Sequence, residues 1–256
     1  MHAPLGQSRV LKRPSSSYNN RDEYRRIVSS ELKCWKTQHL QTELLVCADS
    51  LQETTAYDAA VFLRGQMDEY IAQHPAFESS LAPVSALPGA PQVIGDMCEA
   101  ATAAGVGPMA AVAGAFAAHV GNAVLRQSAQ VIVENGGDVF MKMEKKATAA
   151  IFAGASPLSM KIGIAIDARQ VPVAVCTSSG NIGHSKSFGN ADAAVVVSHD
   201  ACLADACATR LGNEVKCAED IGAALALICG IEGVIGAVAV VGEVIGAMGG
   251  LQLENL

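Results

Sequence analysis

The clearest candidates for metal chemistry are two oxygen-bearing side chains, Asp205 and Thr209, in the segment DACLADACATRLG. Their spacing of four residues places both on one face of a predicted helix, which Asp200 is expected to cap. Carboxylate and hydroxyl oxygens are hard ligands that suit Mg²⁺, and a carboxylate among alanines and cysteines is costly unless it is paired or bound. We therefore predict a magnesium site here. The alternative is that the carboxylate pairs with Arg210 or with a backbone amide.

A second polar segment is the turn Glu134-Asn135-Gly136-Gly137-Asp138. Two adjacent glycines let the backbone approach a ligand closely and expose carbonyl and amide groups. The candidate ligand-binding residues here are Asn135, Gly136, Gly137 and Asp138. The alternative is a tight hairpin turn that binds nothing.

A third polar segment, Cys176-Thr177-Ser178-Ser179-Gly180, ends a hydrophobic strand. Its hydroxyls and free amides are of the kind that hold a phosphate or the edge of a cofactor ring. The candidate cofactor-binding residues are Thr177, Ser178, Ser179 and Gly180. The following glycines lack the spacing of a dinucleotide-binding loop. His184 in this loop is the candidate catalytic base, and the alternative is an ordinary solvated or structural histidine.

The elements that must position these segments follow from hydrophobic patterning. The predicted strands lie at 32–40, 43–49, 130–134, 138–143, 148–154, 161–168, 171–178, 193–199 and 234–242, with 243–254 closing the last pair. The predicted helices lie at 53–75, 200–215 and 218–230, and in an alanine-rich stretch at about 92–126 that Gly105, Gly107 and Pro108 punctuate. Each half of the sequence is then predicted to contain two strands, two helices and two further strands, in that order. This order predicts an α+β fold made of a duplicated β2-α2-β2 unit, with antiparallel sheets and helices packed on one face.

The same patterning predicts the domain organisation. Residues 1–22 are expected to form a flexible N-terminal arm, and residues 23–256 a single domain. Its two pseudo-repeats would span about 30–145 and 171–256, joined by a β-hairpin. The apolar stretch Ile221–Gly242 contains Glu232 and is predicted to be a helix followed by a buried strand rather than a membrane span.

Composition excludes several classes of function. Half of the 256 residues are hydrophobic and 17% are charged, which predicts a folded globular protein. The net charge of −7 argues against nucleic acid or a membrane surface as a partner. The eight cysteines show no metal-binding spacing, so we expect reduced, buried thiols and a cytoplasmic protein.

Four stretches, taken in order, resemble the ApbE-like superfamily, whose best-known members are FAD:protein FMN transferases. They are GPMAAVAGAFAAHVG, VENGGDVF, AVCTSSGNIGHSKSFGNADA and ACLADACATRLG. The resemblance covers almost the whole chain from Tyr24 and is closest to a small cytosolic bacterial and archaeal branch. It implies a T-fold-like duplicated architecture. It also implies that Asp205 and Thr209 bind Mg²⁺ with a backbone carbonyl from Asn135, and that Thr177, Ser178 and Gly180 lie beside a flavin nucleotide.

The chain also departs from the transferase pattern. Gly114 and His119 stand where the transferases carry a lysine and an aspartate, and the family's histidine loop is shorter here. We therefore expect a Mg²⁺-dependent enzyme acting on FAD, FMN or a related diphosphate, but not a true protein flavinylase. The alternative is a flavin- or pterin-binding protein without turnover. The glycine and alanine content also permits a homo-oligomer or an assembly protein.

Overall fold

A computed structural model of the chain describes residues 32–178 and 189–256. Eight strands form one antiparallel sheet in the order β1-β2-β3-β4-β7-β8-β9-β10. These strands are β1 (Lys33–His39), β2 (Thr42–Ala48), β3 (Val131–Asn135), β4 (Asp138–Lys142), β7 (Val173–Ser178), β8 (Ala193–Ser198), β9 (Val234–Val241) and β10 (Val244–Gly249). The predicted arm at 1–22 lies outside the described residues.

The helices lie against one face of this sheet. They are α1 (Glu53–Gln73), α2 (Ala76–Ser79), α3 (Gln92–Ala104), α4 (Val112–Val124), α5 (Ala201–Glu214) and α6 (Ile221–Cys229). Alternate strand residues such as Val133 and Val196 point into this helical layer and form the larger core with it. The predicted fold class, with antiparallel strands and helices on one face, is confirmed.

The opposite face of the sheet carries a second, smaller core. A three-stranded sheet in the order β11-β6-β5 contributes to it, from β5 (Ala147–Ala150), β6 (Ile162–Ile166) and β11 (Gln252–Asn255). Its Ile164 and Ile166 lie in one apolar cluster with Val175 and Val195 of the main sheet. The large sheet is therefore covered on both faces over its central strands.

The two halves of the main sheet meet where β4 pairs with β7 through three residue pairs. Strands β1 to β4 lie on one side of this seam and β7 to β10 on the other, so each half has its strands in chain order. This arrangement is what a duplicated unit predicts. The repeat boundaries at about 30–145 and 171–256 remain our interpretation.

Two boundaries differ from the sequence prediction. The alanine-rich stretch is two helices rather than one, because Gly105 ends α3 in a left-handed conformation and Pro108 begins a new 3₁₀ turn before α4. The closing segment also divides. Gly249 has a φ of 93°, and after it β11 pairs with β6 instead of extending β10.

The prediction of eight reduced, buried thiols is wrong for four cysteines, of which Cys229 is only half-buried. Cys34 and Cys47 are directly opposite each other on β1 and β2 and form a disulfide. Cys217 is exposed. Neighbouring antiparallel strands bring opposed side chains close enough to bond, which spacing along the sequence does not reveal.

The apolar stretch Ile221–Gly242 is a helix followed by a strand, as predicted, since α6 ends at Cys229 and β9 begins at Val234. Among the described residues no single helix is long and apolar enough to cross a membrane. Within the described ranges, one pair of helices, Gln92–Ala104 and Pro108–Val124, reaches that length and composition together, but it is bent by 104° at its break.

Candidate functional site

The site begins where α4 meets α5. Asp205, on α5, accepts a hydrogen bond from the backbone N–H of Gly114 at 2.8 Å, in the first turn of α4. The two helices approach so closely that a Cβ at Gly114 would lie 2.2 Å from the carbonyl oxygen of Ala201. Only glycine fits there. Asp205 therefore caps a helix far from it in sequence, and a backbone amide satisfies it rather than Arg210, which pairs with Glu214 at 2.6 Å.

The β3–β4 turn is tied to the same helix start. Asn135 and Asp138 are paired across a two-residue turn, and Gly136 and Gly137 have φ values of 68° and 120°. Positive φ at both positions is the hairpin conformation that favours glycine. The side-chain amide of Asn135 donates to the carbonyl oxygen of Ala113 at 3.1 Å. The segment is thus a hairpin turn that also lies against α4.

Asp138 joins the two halves of the sheet at the seam. Its side chain is buried, and its Oδ1 accepts a hydrogen bond from the backbone N–H of Thr177 at 3.1 Å. Strands β4 and β7 therefore bring the second and third polar segments together. Glu134 lies beside them, and its Oε1 accepts from the N–H of Gly137 at 3.2 Å.

Both aspartates have raised pKa values. Burial raises the pKa of Asp138 to about 7, with a further increase from the charge of Glu134, while the N–H of Thr177 acts in the opposite direction. Burial also raises the pKa of Asp205 well above its usual range, and the negative charge of Asp138 adds to this shift. The structure therefore places two carboxyl groups, one from each half, in a low-dielectric environment where a cation would relieve their repulsion.

Two further side chains line this region. The thiol of Cys176 is buried and donates to the carbonyl oxygen of Ala201 at 3.7 Å, and burial raises its pKa well above the usual range. The Oγ of Ser178 is buried and has no hydrogen-bond partner among the described residues. A buried hydroxyl without a partner is costly and is a feature of sites that a ligand completes.

The remaining predicted residues fall into two groups. Thr209 is one turn further along α5 than Asp205 and is half-buried. Ser179, Gly180 and His184 lie outside the described residues. The structure thus brings together Asn135, Gly136, Gly137, Asp138, Thr177 and Asp205.

Two other histidines, His119 and His199, have partners elsewhere. His119 Nε2 lies 2.9 Å from Asp96 Oδ2, between α4 and α3. His199 Nδ1 lies 2.8 Å from the carbonyl oxygen of Pro172. His119 therefore contacts a neighbouring helix, which is an alternative to a role of this histidine in recognising a ligand.

Residue chemistry alone did not predict that the start of α4 belongs to the site, and only the resemblance to the transferases singled out the position of Gly114. Ala113 and Gly114 contribute only backbone groups, so their residue types carry no chemical signal. The one usable sign in the residues themselves was a glycine within an alanine-rich helix, a position that often marks a close helix contact.

The donor set has the chemistry of a magnesium site but an incomplete ligand sphere. Asp138, Asp205 and Thr209 offer hard oxygen atoms. In the part of the chain that the structure describes, no three histidine, cysteine or acidic side chains are grouped so as to hold a metal ion. Mg²⁺ commonly binds one or two carboxylates and takes its other ligands from water and substrate phosphates, so this set is compatible with it.

We expect Gly114→Ala to destabilise the protein by about 3 kcal/mol or more, because backbone rather than a flexible side chain occupies the space. The added Cβ would also lie 2.9 Å from the Cβ of Asp205. Urea unfolding measures the effect. Gly95→Ala in α3 is the matched control, since beyond its own chain neighbours and helix backbone no atom lies within 4 Å of the added Cβ. Equal stability of the two variants would contradict the close contact.

Comparison with known proteins identifies the family. A family model described as "AbpE bacteria" matches residues 25–246. The chain belongs to this AbpE family. The resemblance predicted from the sequence motifs is thereby confirmed.

Relatives of this AbpE chain occur among archaea. The UPF0280 protein of Methanocella arvoryzae is 38% identical over 220 residues, which are 86% of this chain and 89% of the relative. The UPF0280 protein of Methanococcus aeolicus is 44% identical over 191 residues, or 73% and 77% of the two chains.

Solved structures share the fold. The flavinyl transferase ApbE of Pseudomonas stutzeri, in its apo form, superposes with a TM-score of 0.51 at 13% identity, covering 85% of this chain and 94% of the other. The flavin transferase ApbE from Vibrio cholerae gives a TM-score of 0.54 at 10% identity, covering 85% and 96%. At this identity the similarity establishes the fold of the AbpE chain and not its activity.

Proposed function

We propose that this AbpE-family protein binds a flavin nucleotide, FAD or FMN, or a related diphosphate with Mg²⁺, and acts at its phosphate linkage. The observation that carries the proposal is the pair of buried carboxyl groups, Asp138 and Asp205, held at the seam by backbone amides of Thr177 and Gly114. The flavin transferases that share this fold support the choice of a flavin nucleotide.

Asp205, Thr209 and the backbone carbonyl of Asn135 would hold the metal. Mg²⁺ would neutralise negative charge on the diphosphate oxygens. The unpartnered hydroxyl of Ser178 would donate to a phosphate or ring oxygen, together with Thr177, Ser179 and Gly180. The turn of Gly136, Gly137 and Asp138 would border the nucleotide, and His184 would take a proton from the acceptor or a water molecule.

We further propose that the protein is not an efficient protein flavinylase. The position of Gly114 has no room for a lysine side chain, and His119 already contacts Asp96. Two missing charge-assisted contacts would each cost on the order of 1 to 3 kcal/mol in binding a nucleotide. The natural ligand would accordingly be smaller than FAD or carry a different charge.

Binding without turnover is a second candidate function. His119 and His199 have partners elsewhere, so neither supports the site as a general base. A flavin- or pterin-like ring held by the third polar segment would then be the ligand. A cytoplasmic location and the lack of nucleic-acid or membrane partners remain predictions from the sequence.

A titration of the purified protein with FAD, with and without Mg²⁺, tests the main proposal. We expect flavin binding that strengthens with Mg²⁺, followed by release of FMN or AMP detected by chromatography. Binding without products would favour the second function. No binding of FAD, FMN or a pterin would contradict both.

The flavinylase prediction needs a separate assay. Incubation with FAD, Mg²⁺ and a protein that accepts flavin is expected to leave the acceptor unmodified by mass spectrometry, because the charged contacts at Gly114 and His119 are missing. An authentic flavin transferase is the positive control. Efficient covalent transfer of FMN by this chain would overturn the prediction.

A further inference from the structure

Helix α6 has an apolar outer face. The helix contains no charged or polar residue in its sequence IGAALALIC. Its exposed residues are Gly222, Ala223, Ala226 and Leu227. A surface helix ordinarily carries polar residues on its solvent side, and one that is apolar all round is typical of a buried position. The outer face of α6 therefore has the composition of a covered surface.

Strand β10, directly beneath α6, continues this apolar surface to the edge of the sheet. A Cβ at Gly246 would lie 2.4 Å from a methyl group of Ile221, so the helix lies directly on the strand. Val244 and Met248 alternate with Gly246 toward the same face and are 48% and 40% exposed. From 244 to 251 the sequence VIGAMGGL has no charged residue.

The backbone of β10 is open on one side. It is the last strand of the eight-stranded sheet, and among the described residues no strand pairs with its outer edge. The following chain turns back over β9 instead, since the N–H of Gly250 donates to the carbonyl oxygen of Ile235 at 2.8 Å. An uncharged edge with free backbone donors and acceptors is a template for another strand.

The opposite edge of the sheet is protected. Strand β1 carries Lys33, Lys36 and His39 along its length. Lysines on an edge strand disfavour pairing with another sheet. Of the two edges of the main sheet, as the structure describes it, the β10 edge is the one with the composition of an interface.

We propose that the β10 edge and the outer face of α6 form the contact between two copies of this chain, related by a two-fold axis. The occupant is a second β10, because a symmetric contact buries the apolar patch of both copies at once and closes the assembly. Pairing of β10 with β1 of the next copy would instead place apolar side chains against Lys33 and Lys36 and would continue without end.

Symmetry also fixes the register. In an antiparallel pair, directly opposed residues lie on the same face, so the two-fold axis must pass through a residue that faces itself. Centring on Gly246 places Val244 of each copy opposite Met248 of the other. It also places Glu243 opposite Gly249, which avoids a like-charge contact. The two large exposed side chains thereby cover each other beside the two α6 helices.

Light scattering during size-exclusion chromatography of the full chain tests the contact. We expect the wild-type protein to be a dimer. Ala226→Glu and Val244→Lys should each weaken association by about 100-fold or more, because each interface would bury two unpaired charges. Both positions are exposed, and circular dichroism verifies that the variants fold. Phe62→Lys, on the exposed face of α1, is the matched control and should remain dimeric. A monomeric wild type, or dimeric Ala226→Glu and Val244→Lys proteins, would overturn the proposal.

Engineered cysteines test the register independently. The double variant Val244→Cys/Met248→Cys should form a covalent dimer on mild oxidation, linked between 244 of one copy and 248 of the other. The two positions are too far apart on one strand to bond within a copy. Peptide mapping excludes a bond to Cys229, whose thiol is 3.6 Å from the carbonyl oxygen of Met248. Each single variant is the control and should remain uncrosslinked. A double variant that gives no 244–248 linkage would overturn the proposed register.

Discussion

Asp138→Asn is expected to reduce the pH dependence of stability between pH 4 and pH 7, leaving the part that the buried Asp205 contributes. The carboxyl group has a pKa of about 7 in the folded chain, against an ordinary value of 3.8. Between these values the folded state holds a proton that the unfolded state has released, so the free energy of unfolding falls as the pH rises. The shift corresponds to about 4 kcal/mol lost by pH 7, which the asparagine variant would not lose.

Urea unfolding at intervals of half a pH unit, without added divalent ions, measures this effect. Asp58→Asn, which removes a solvent-facing carboxylate from α1, is the matched control and should keep the wild-type slope. A wild-type protein whose stability does not fall across this range would contradict the burial of an uncompensated Asp138 carboxylate. Addition of Mg²⁺ should raise the stability at pH 7 of the wild type more than that of the variant, because an ion held by Asp205 and the Asn135 carbonyl would also attract the nearby charge of Asp138.

Asp205 variants are expected to lose Mg²⁺-dependent nucleotide binding by about 100-fold or more, because the charged ligand of the proposed metal is removed. The structure separates this role from the capping of α4. Asp205→Asn keeps an oxygen that can accept from the N–H of Gly114, whereas Asp205→Ala leaves that N–H buried and unpaired. The alanine variant should therefore lose a further 1 to 3 kcal/mol, roughly, of stability.

Calorimetric titration with FAD and Mg²⁺ and thermal melting together distinguish the two roles. Thr209→Ala is the matched control on the same helix and should weaken binding while it keeps the melting temperature. An asparagine variant that binds FAD and Mg²⁺ as tightly as the wild type would refute a ligand role. Asp205 would then serve only to hold α4 against α5.

The periodic parts of the chain were predictable because local patterning determines them. Buried strands such as VAVCTS and AAVVVS and the capped helix at Asp200 have clear signals within a few residues. The hairpin at Asn135-Gly136-Gly137-Asp138 was predictable for the same reason, since only glycine readily takes the positive φ values that it needs.

Most of the features that sequence reasoning missed depend on contacts between distant segments. The Cys34–Cys47 disulfide follows from strand register, and the pairing of β11 with β6 follows from the turn at Gly249. The cap on α4 follows from the close approach of Gly114 to Ala201. Composition and spacing do not encode such distances, so Asp205 was identified as chemically unusual before its hydrogen-bond partner was known.

The seam between β4 and β7 has a consequence for the order of folding. The site's groups come from residues 114, 138, 177 and 205. In the main sheet the two halves are joined through three residue pairs between β4 and β7. Contacts between segments so far apart pay a large loop-closure entropy and form late. A ligand at the seam would therefore bind only the complete fold and would stabilise it against separation of the two halves. At one hundred times its dissociation constant it would add about 2.7 kcal/mol to stability, enough to slow proteolysis of a chain that opens between its halves.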